Sequence, residues 1–321
     1  MDNSITDSTD STDSTDSTCI QHTESPKKST IKHIVLSGGC SFIITLLGIL
    51  KESNDTGFWD YSNLKSVYGT SAGAIVGLAI SLGIAVDVLV TYMLKRPWQQ
   101  VFKLNMNNIL NAFHNCGIVD ITSIEDLITP LLKSKDLSIN ITMKELYEHN
   151  NIDLHVYSVD LDTFDIIDIS HTTHPDWKVL DAIYASACLP ILFSPLSING
   201  KLYFDGGILC NYPIQYCYEN CIAQGGIIDE IMGIRYNVTD SNAIIEKYTL
   251  FDYFIKILYK MNTFTILYKN TQNNVTIPNE IHINTTSISF YELYLVITDS
   301  NERKRLVEGG IELWRKHIAN G

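Results

Sequence analysis

The chain has 321 residues, 45% of them hydrophobic and 18% charged, with a formal net charge of −13 at pH 7. That length supports one large core or two modest ones, and the apolar content reads as globular. The acidic balance argues against a nucleic-acid surface, which carries a basic stripe, and against tight electrostatic docking on anionic lipid.

Residues 7–18 repeat Asp-Ser-Thr four times, and segment 1–30 is almost free of large apolar residues. Such a segment buries too little surface to offset its ordering entropy, so a disordered tail is expected there. It also lacks the basic end and apolar stretch of a secretory signal. From Ile31 onward, short apolar runs alternate with helical stretches. His33–Leu36 reads as a strand, Phe42–Lys51 as a helix, Leu64–Tyr68 as a strand and Ala72–Lys95 as one helix or two. Ala72–Met93 is strongly apolar but contains Asp87 and three glycines, so a buried core helix is expected rather than a membrane span. Residues 96–150 read as mostly helical, with breaks near Pro97, Gly117 and Pro130. Leu154–Leu161 and Phe164–Ile169 suggest a hairpin around Asp162-Thr163. Val179–Ala187 reads as a helix, and Lys201–Phe204, Ile231–Tyr236 and Ile281–Asn284 as strands. Phe251, Tyr253, Phe254, Tyr259, Phe264 and Tyr268 are expected to pack in a core, with an acyl-chain channel or a membrane-facing cap as the alternative. Ser300–Ala319 has the pattern of an amphipathic helix with Glu302, Arg303, Lys304 and Arg305 on its polar side. Strand–helix alternation of this kind implies an α/β fold with a largely parallel sheet.

The seven cysteines are scattered and contain no C-x-x-C pair. Free thiols in a reducing compartment are expected, with no zinc site. The expected location is intracellular, either soluble or peripheral to a membrane.

Gly69-Thr70-Ser71-Ala72-Gly73 follows the Leu64–Tyr68 strand and opens the next helix. A serine flanked by glycines at a strand-to-helix turn is how acyl hydrolases present a nucleophile. The helix N-terminus behind it favours developing negative charge. Downstream, Asp205-Gly206-Gly207 follows the Leu202-Tyr203-Phe204 run, which puts a carboxylate at a strand's C-terminal end, where open α/β sheets place their ligands. Upstream, Leu36-Ser37-Gly38-Gly39-Cys40-Ser41 joins the first strand to the first helix and points backbone N–H groups into a concavity. It is not a P-loop, since no Gly-Lys-Ser/Thr follows. Nor is it a dinucleotide turn, since Cys40 and Ile43 stand at the glycine positions.

The order and spacing of these segments resemble the patatin-like phospholipase family of serine acyl hydrolases. The resemblance rests on Leu36-Ser37-Gly38-Gly39 with Gly48-Ile49-Leu50 nine residues on, and on Val67 through Ala74 around Ser71. Its most specific part is Ala185-Ser186-Ala187-Cys188-Leu189-Pro190-Ile191-Leu192-Phe193-Ser194-Pro195, running on to Asp205-Gly206-Gly207 and Asn211-Tyr212-Pro213. It covers residues 35–235 of a 31–321 hydrolase domain, with a helical and β extension over 236–321.

The resemblance implies a three-layer α/β/α fold and a Ser–Asp dyad acting on lipid esters, without metal or other cofactor. Ser71 would be the nucleophile, Asp205 the general base, and the turn at Gly38, Gly39 and Cys40 the oxyanion hole. Gly69, Gly73, Gly206, Gly207 and Asn211 would support them. The implied partner is a lipid or membrane-surface substrate; an activating protein partner stays open. Cys40, Phe42 and Ile43 depart from the family's usual glycine, basic residue and glycine, which stiffens the turn and removes a cation. Two other readings stand beside this one. A Ser–His–Asp triad needs a histidine after the acid, leaving His282 or His317. His171 and His174 precede the acid and read as a loop beside Pro175. The second alternative is a weak or inactive lipid-binding module on the same fold.

Overall fold

The computed structural model describes residues 30–102, 106–238, 249, 252–254, 256–258, 260–261, 275–285 and 290–320. The expected tail lies, but for Thr30, outside the described residues, as do Phe251, Tyr259, Phe264 and Tyr268. Of the remaining aromatics in that group, Tyr253 is exposed and Phe254 half-buried, so neither is a core residue.

The central sheet contains β1 (His33–Leu36), β2 (Ser66–Thr70), β4 (Asp153–Asp160), β5 (Asp165–Ile169), β7 (Leu196–Ile198), β8 (Lys201–Asp205), β9 (Ile231–Val238) and β10 (Asn279–Thr285). Its order is β10-β9-β1-β2-β4-β8-β7, with β5 paired to β4. The first five strands of that order run parallel; β8 is antiparallel to β4, and β7 to β8. The expected hairpin is the antiparallel β4–β5 pair. A separate two-stranded sheet joins β3 (Gly117–Val119) to β6 (Ile191–Phe193). Three-residue strands carry no readable period, and neither β3 nor β6 was expected.

β5 occupies one edge of β4 from Val156 to Asp160. β2 pairs with β4 up to Thr70 opposite Tyr157, and β8 pairs with it from Asp205 opposite Ser158. A strand has two edges, so β2 and β8 share the other one and their C-terminal ends meet head to head.

β1 reads His-Ile-Val-Leu and is buried on both faces, as a central parallel strand should be. Ile34 and Leu36 face the larger core, while Val35 faces a smaller one with Cys217 and Cys221 of α9 (Ile214–Ala223). The larger core receives α1 (Ile43–Asp55), α2 (Ala72–Ser81), α3 (Val86–Lys95), α6 (Ile121–Lys133) and α8 (Val179–Ala187). Helices on both faces of a mostly parallel sheet give a three-layer α/β/α architecture. The apolar run Ala72–Lys95 is two helices, broken at Gly83, where φ is +64°. Among the described residues no helix is long and apolar enough to cross a membrane. The six described cysteines form no disulfide.

The C-terminal helix Ser300–Asn320 lies against α1. A Cβ on Gly48 would come 2.1 Å from the Val307 carbonyl oxygen, and one on Gly310 would come 2.1 Å from that of Thr45. Glycine at both positions is what lets the two backbones approach. Arg303, expected on the polar side of this helix, is buried instead. Its guanidinium donates to the carbonyls of Val296 (2.7 Å) and Leu94 (3.0 Å), so it caps the ends of two neighbouring helices.

On the α9 side of the sheet lies a charged network. His155 Nδ1 is 2.9 and 3.0 Å from the two Asp168 oxygens, and Nε2 is 3.1 Å from Asp153. Asp153 also bonds His171 Nδ1 at 2.7 Å, the Tyr157 hydroxyl donates to Asp168, and the Tyr68 ring stacks on His155. Burial depresses the His155 pKa, but hydrogen bonds to Asp153 and Asp168 outweigh it and hold the pKa at about 9.

Two outcomes follow for stability. Gly310→Ala should lose about 1–3 kcal/mol by urea unfolding through overpacking, whereas Gly309→Ala, with open space around its Cβ, should be neutral or gain up to ~1 kcal/mol. The His155 contribution is complete below its unfolded pKa of 6.5 and is lost as pH rises through about 9. Wild-type stability should therefore fall across that window, and His155→Gln should be less stable at pH 6 and lack most of the fall.

Candidate active site

Ser71 stands between β2 and α2 with φ +53° and ψ −120°, a left-handed conformation that most residues avoid. The turn forms because Gly73 permits it: a Cβ there would lie 2.4 Å from the Leu36 carbonyl oxygen. Gly69, on β2, faces the Gly73 backbone across the same turn. The Ser71 amide donates to Ser186 Oγ at 2.8 Å, and Ser186 donates onward to the Tyr157 carbonyl at 2.6 Å. Ser186 therefore locks the turn to α8 and β4. Its place in the Ala185–Pro195 segment was visible in the sequence, but this positioning contact was not.

Asp205 ends β8, one rung along β4 from Thr70. Its Oδ2 accepts from Ser71 Oγ at 2.7 Å, and its Oδ1 accepts from the Gly207 amide at 2.7 Å. Both side chains are buried. Burial raises the Asp205 pKa most strongly; the hydrogen bonds from Ser71 and Gly207 pull it back in part, leaving it at about 6. Gly206 packs against the Tyr157 carbonyl, which keeps this turn tight against β4.

The glycine turn after β1 is braced by Asn211. The Gly38 amide donates to the Asn211 carbonyl at 2.9 Å, and Asn211 Nδ2 donates back to the Gly38 carbonyl at 3.1 Å. The Gly38 N–H is thus already committed, which differs from the expectation that it faces an oxyanion. Gly39 and Cys40 amides make no hydrogen bond among the described residues. Ser37 Oγ accepts from the Tyr236 amide, and Phe42 stacks on the Tyr236 ring at 4.3 Å. Phe42 therefore holds the turn by packing, at a position where a basic residue was noted as usual.

Ser71 opens into a cavity of about 500 Å³, within the ~300–1,000 Å³ range of small-molecule sites. Its walls are almost wholly apolar, with Ile43, Ile75, Trp98, Phe102, Leu127 and Phe193 among them. Cys40 also borders it, and burial pushes its thiol up to about 12, so it stays protonated.

No histidine among the described residues bonds to Ser71 or Asp205. His282 lies on β10, three strands from β2, and meets Asn237 and Glu280. His317 lies beside Trp314 on the C-terminal helix. His171 belongs to the Asp153 network, and His174 contacts Thr173 and Trp177. Among the described residues one group has metal-ligand reach: His33, Cys221 and Glu230. It sits at the start of β1, the opposite end of the sheet from Ser71, and the Lys32 ammonium already pairs with Glu230.

The family model for patatin-like phospholipases matches residues 34–218, a span that contains Ser71, Asp205 and the braced glycine turn. The uncharacterized protein R571 of Acanthamoeba polyphaga mimivirus is 24% identical over 303 residues, covering 92% of this chain and 97% of that protein. The probable lipid hydrolase 463L of Invertebrate iridescent virus 6 is 26% identical over 193 residues, covering 60% of this chain and 64% of that protein. The crystal structure of VipD from Legionella pneumophila shares the fold at a TM-score of 0.53 and 16% identity, over 91% of this chain and 67% of VipD. The match to more than half the chain places this protein in the patatin-like phospholipase family, a family of lipid hydrolases.

Proposed function

We propose that the chain hydrolyses carboxylic esters of lipids, phospholipid acyl esters among them, through Ser71 and Asp205. The observation that carries the reading is the 2.7 Å hydrogen bond from Ser71 Oγ to Asp205 Oδ2 at the wall of an apolar cavity. A neutral hydroxyl is a weak nucleophile, and an adjacent carboxylate can take its proton as the oxygen attacks. In the proposed sequence, Ser71 Oγ adds to the acyl carbonyl carbon and its proton passes to Asp205. The Gly39 and Cys40 amides, free of the bond that holds Gly38, stabilise the resulting oxyanion at the N-terminus of α2. Collapse expels the alcohol, which takes the proton from Asp205 and leaves an acyl-serine. Water then gives a proton to the same carboxylate and attacks the acyl carbon; collapse breaks the bond to Ser71 Oγ, which takes that proton back from Asp205 as the fatty acid leaves. The cavity holds the acyl chain out of water.

Asp205 serves as a base only when ionised. The logarithm of kcat/KM is therefore expected to rise with a slope of one up to about pH 6, the range to which burial moves this carboxyl, and to level off above it. Ser71→Ala and Asp205→Asn should each lower kcat/KM on phospholipid and monomeric esters by about 10³-fold or more, assayed by mass spectrometry of released fatty acid in excess chelator. A fluorophosphonate probe should label wild type and not Ser71→Ala. An Asp205→Asn enzyme of near-full activity would remove Asp205 from the mechanism, and folded wild type that neither labels nor turns over would leave the lipid-binding module.

Stability gives an independent check on the same carboxylate. Its folded pKa lies above its unfolded value of 3.8, so stability falls as pH rises from 3.8 to about 6 and the full penalty of the ionised form is present above that. Asp205→Asn should gain on the order of 2–3 kcal/mol at pH 8 and little at pH 4, by urea unfolding.

A further inference from the structure

Exposed apolar side chains stand on or beside several of the segments that line the Ser71 cavity. Helix α5 (Met106–Asn115) lies between Phe102 and Val119, both of which line the cavity. Leu110 and Phe113, three residues apart and so on one side of α5, are 65% and 93% exposed. Residues 104–119 contain no Asp, Glu, Lys or Arg. α5 packs on β3, and β3 pairs with β6 at Gly117 opposite Ile191. Ile191 is exposed and holds φ +73°, a strained conformation for a β-branched residue; its neighbour Leu192 lines the cavity. Tyr294 of helix Phe290–Thr298 both lines the cavity and is exposed, and Tyr291, one turn earlier, is more exposed still.

We infer that Leu110, Phe113, Ile191, Tyr291 and Tyr294 form the face by which the protein seats on a lipid surface without net negative charge. The choice of a lipid surface as occupant rests on the hydrolase reading. Tyr294 itself lines the acyl cavity, as do Leu192 beside Ile191 and Phe102 and Val119 on either side of α5, so a lipid seated on this face lies next to the apolar space that holds Ser71. Outward apolar side chains with a tyrosine fringe match the interfacial layer of a bilayer, where aromatic rings with one polar end settle. The net charge of −13 and the absence of cations over 104–119 match a zwitterionic surface rather than an anionic one.

The test uses the full chain carrying Ser71→Ala, so that vesicles stay intact, with flotation on phosphatidylcholine vesicles as readout. The Ser71→Ala protein should float with the vesicles. Adding Leu110→Asp with Phe113→Asp, or the uncharged Leu110→Asn with Phe113→Asn, should lower the bound fraction at least about tenfold. With Ser71 restored, the same pairs should hydrolyse a monomeric short-chain ester within about twofold of wild type while losing activity on vesicles. Unchanged flotation of both pairs would overturn the inference. So would a Ser71→Ala protein that ignores the vesicles, including one that instead self-associates through this face. If flotation behaves as expected but wild type cleaves no ester, the seat stands and the hydrolase reading falls.

Discussion

The whole site depends on one edge of β4. Because β5 fills the far edge, β2 and the antiparallel β8 must divide the near one, and their ends meet at Tyr157 and Ser158. Adjacent rungs of a strand are only about 3.3 Å apart. The residues that leave those two strands, Ser71 and Asp205, are therefore held within hydrogen-bond reach by the backbone ladder itself, although 134 positions separate them in the chain. Side-chain packing refines this meeting, but strand pairing creates it. Ser186 and Ser158 add to it from α8 and β4: the first holds the Ser71 amide, and the second lies 2.9 Å from the Phe204 carbonyl just before the carboxylate.

Opposing electrostatic effects meet at Asp205. Removal from water penalises the carboxylate, while two hydrogen-bond donors favour it, and the penalty is the larger. The result is a stronger base than an exposed aspartate, obtained at some cost in folding free energy. His155 shows the opposite balance elsewhere in the same sheet. There two carboxylates outweigh the desolvation of the ring, and the charged form is favoured. Burial alone thus predicts neither outcome; the number and sign of the facing partners decide it.

Much of this was legible in the chain. Ser71 and Asp205 were readable because each stands where an apolar run gives way to glycine, a pattern that strand-end turns impose on local sequence. The strand–helix alternation gave the layer order because buried parallel strands are continuous apolar runs. Other features depend on partners distant in sequence. The commitment of the Gly38 amide is set by a backbone carbonyl 173 positions away, which no residue pattern records. Arg303 looked like one more surface cation because its partners are carbonyls of two other helices. His155 meets Asp168 through the antiparallel offset of β4 and β5, which becomes definite only once the register is known. Leu110 and Phe113 carry the spacing of an inward face, and only coordinates reveal that they point outward.

The clamp made by Arg303 bears on the order in which the protein is made. Synthesis runs from the N-terminus, so Ser71 and Asp205 are made before Leu293, Tyr294, Val296, Ile297 and Thr298, which close one wall of the cavity. That wall is fastened by a guanidinium borne on the helix that follows it, which packs on α1 at the Gly48–Gly310 approach and through the Arg315–Glu52 ion pair. Ser71 and Asp205 are thus synthesised before the apolar wall that completes the cavity, and that wall before the Arg303 that fastens it.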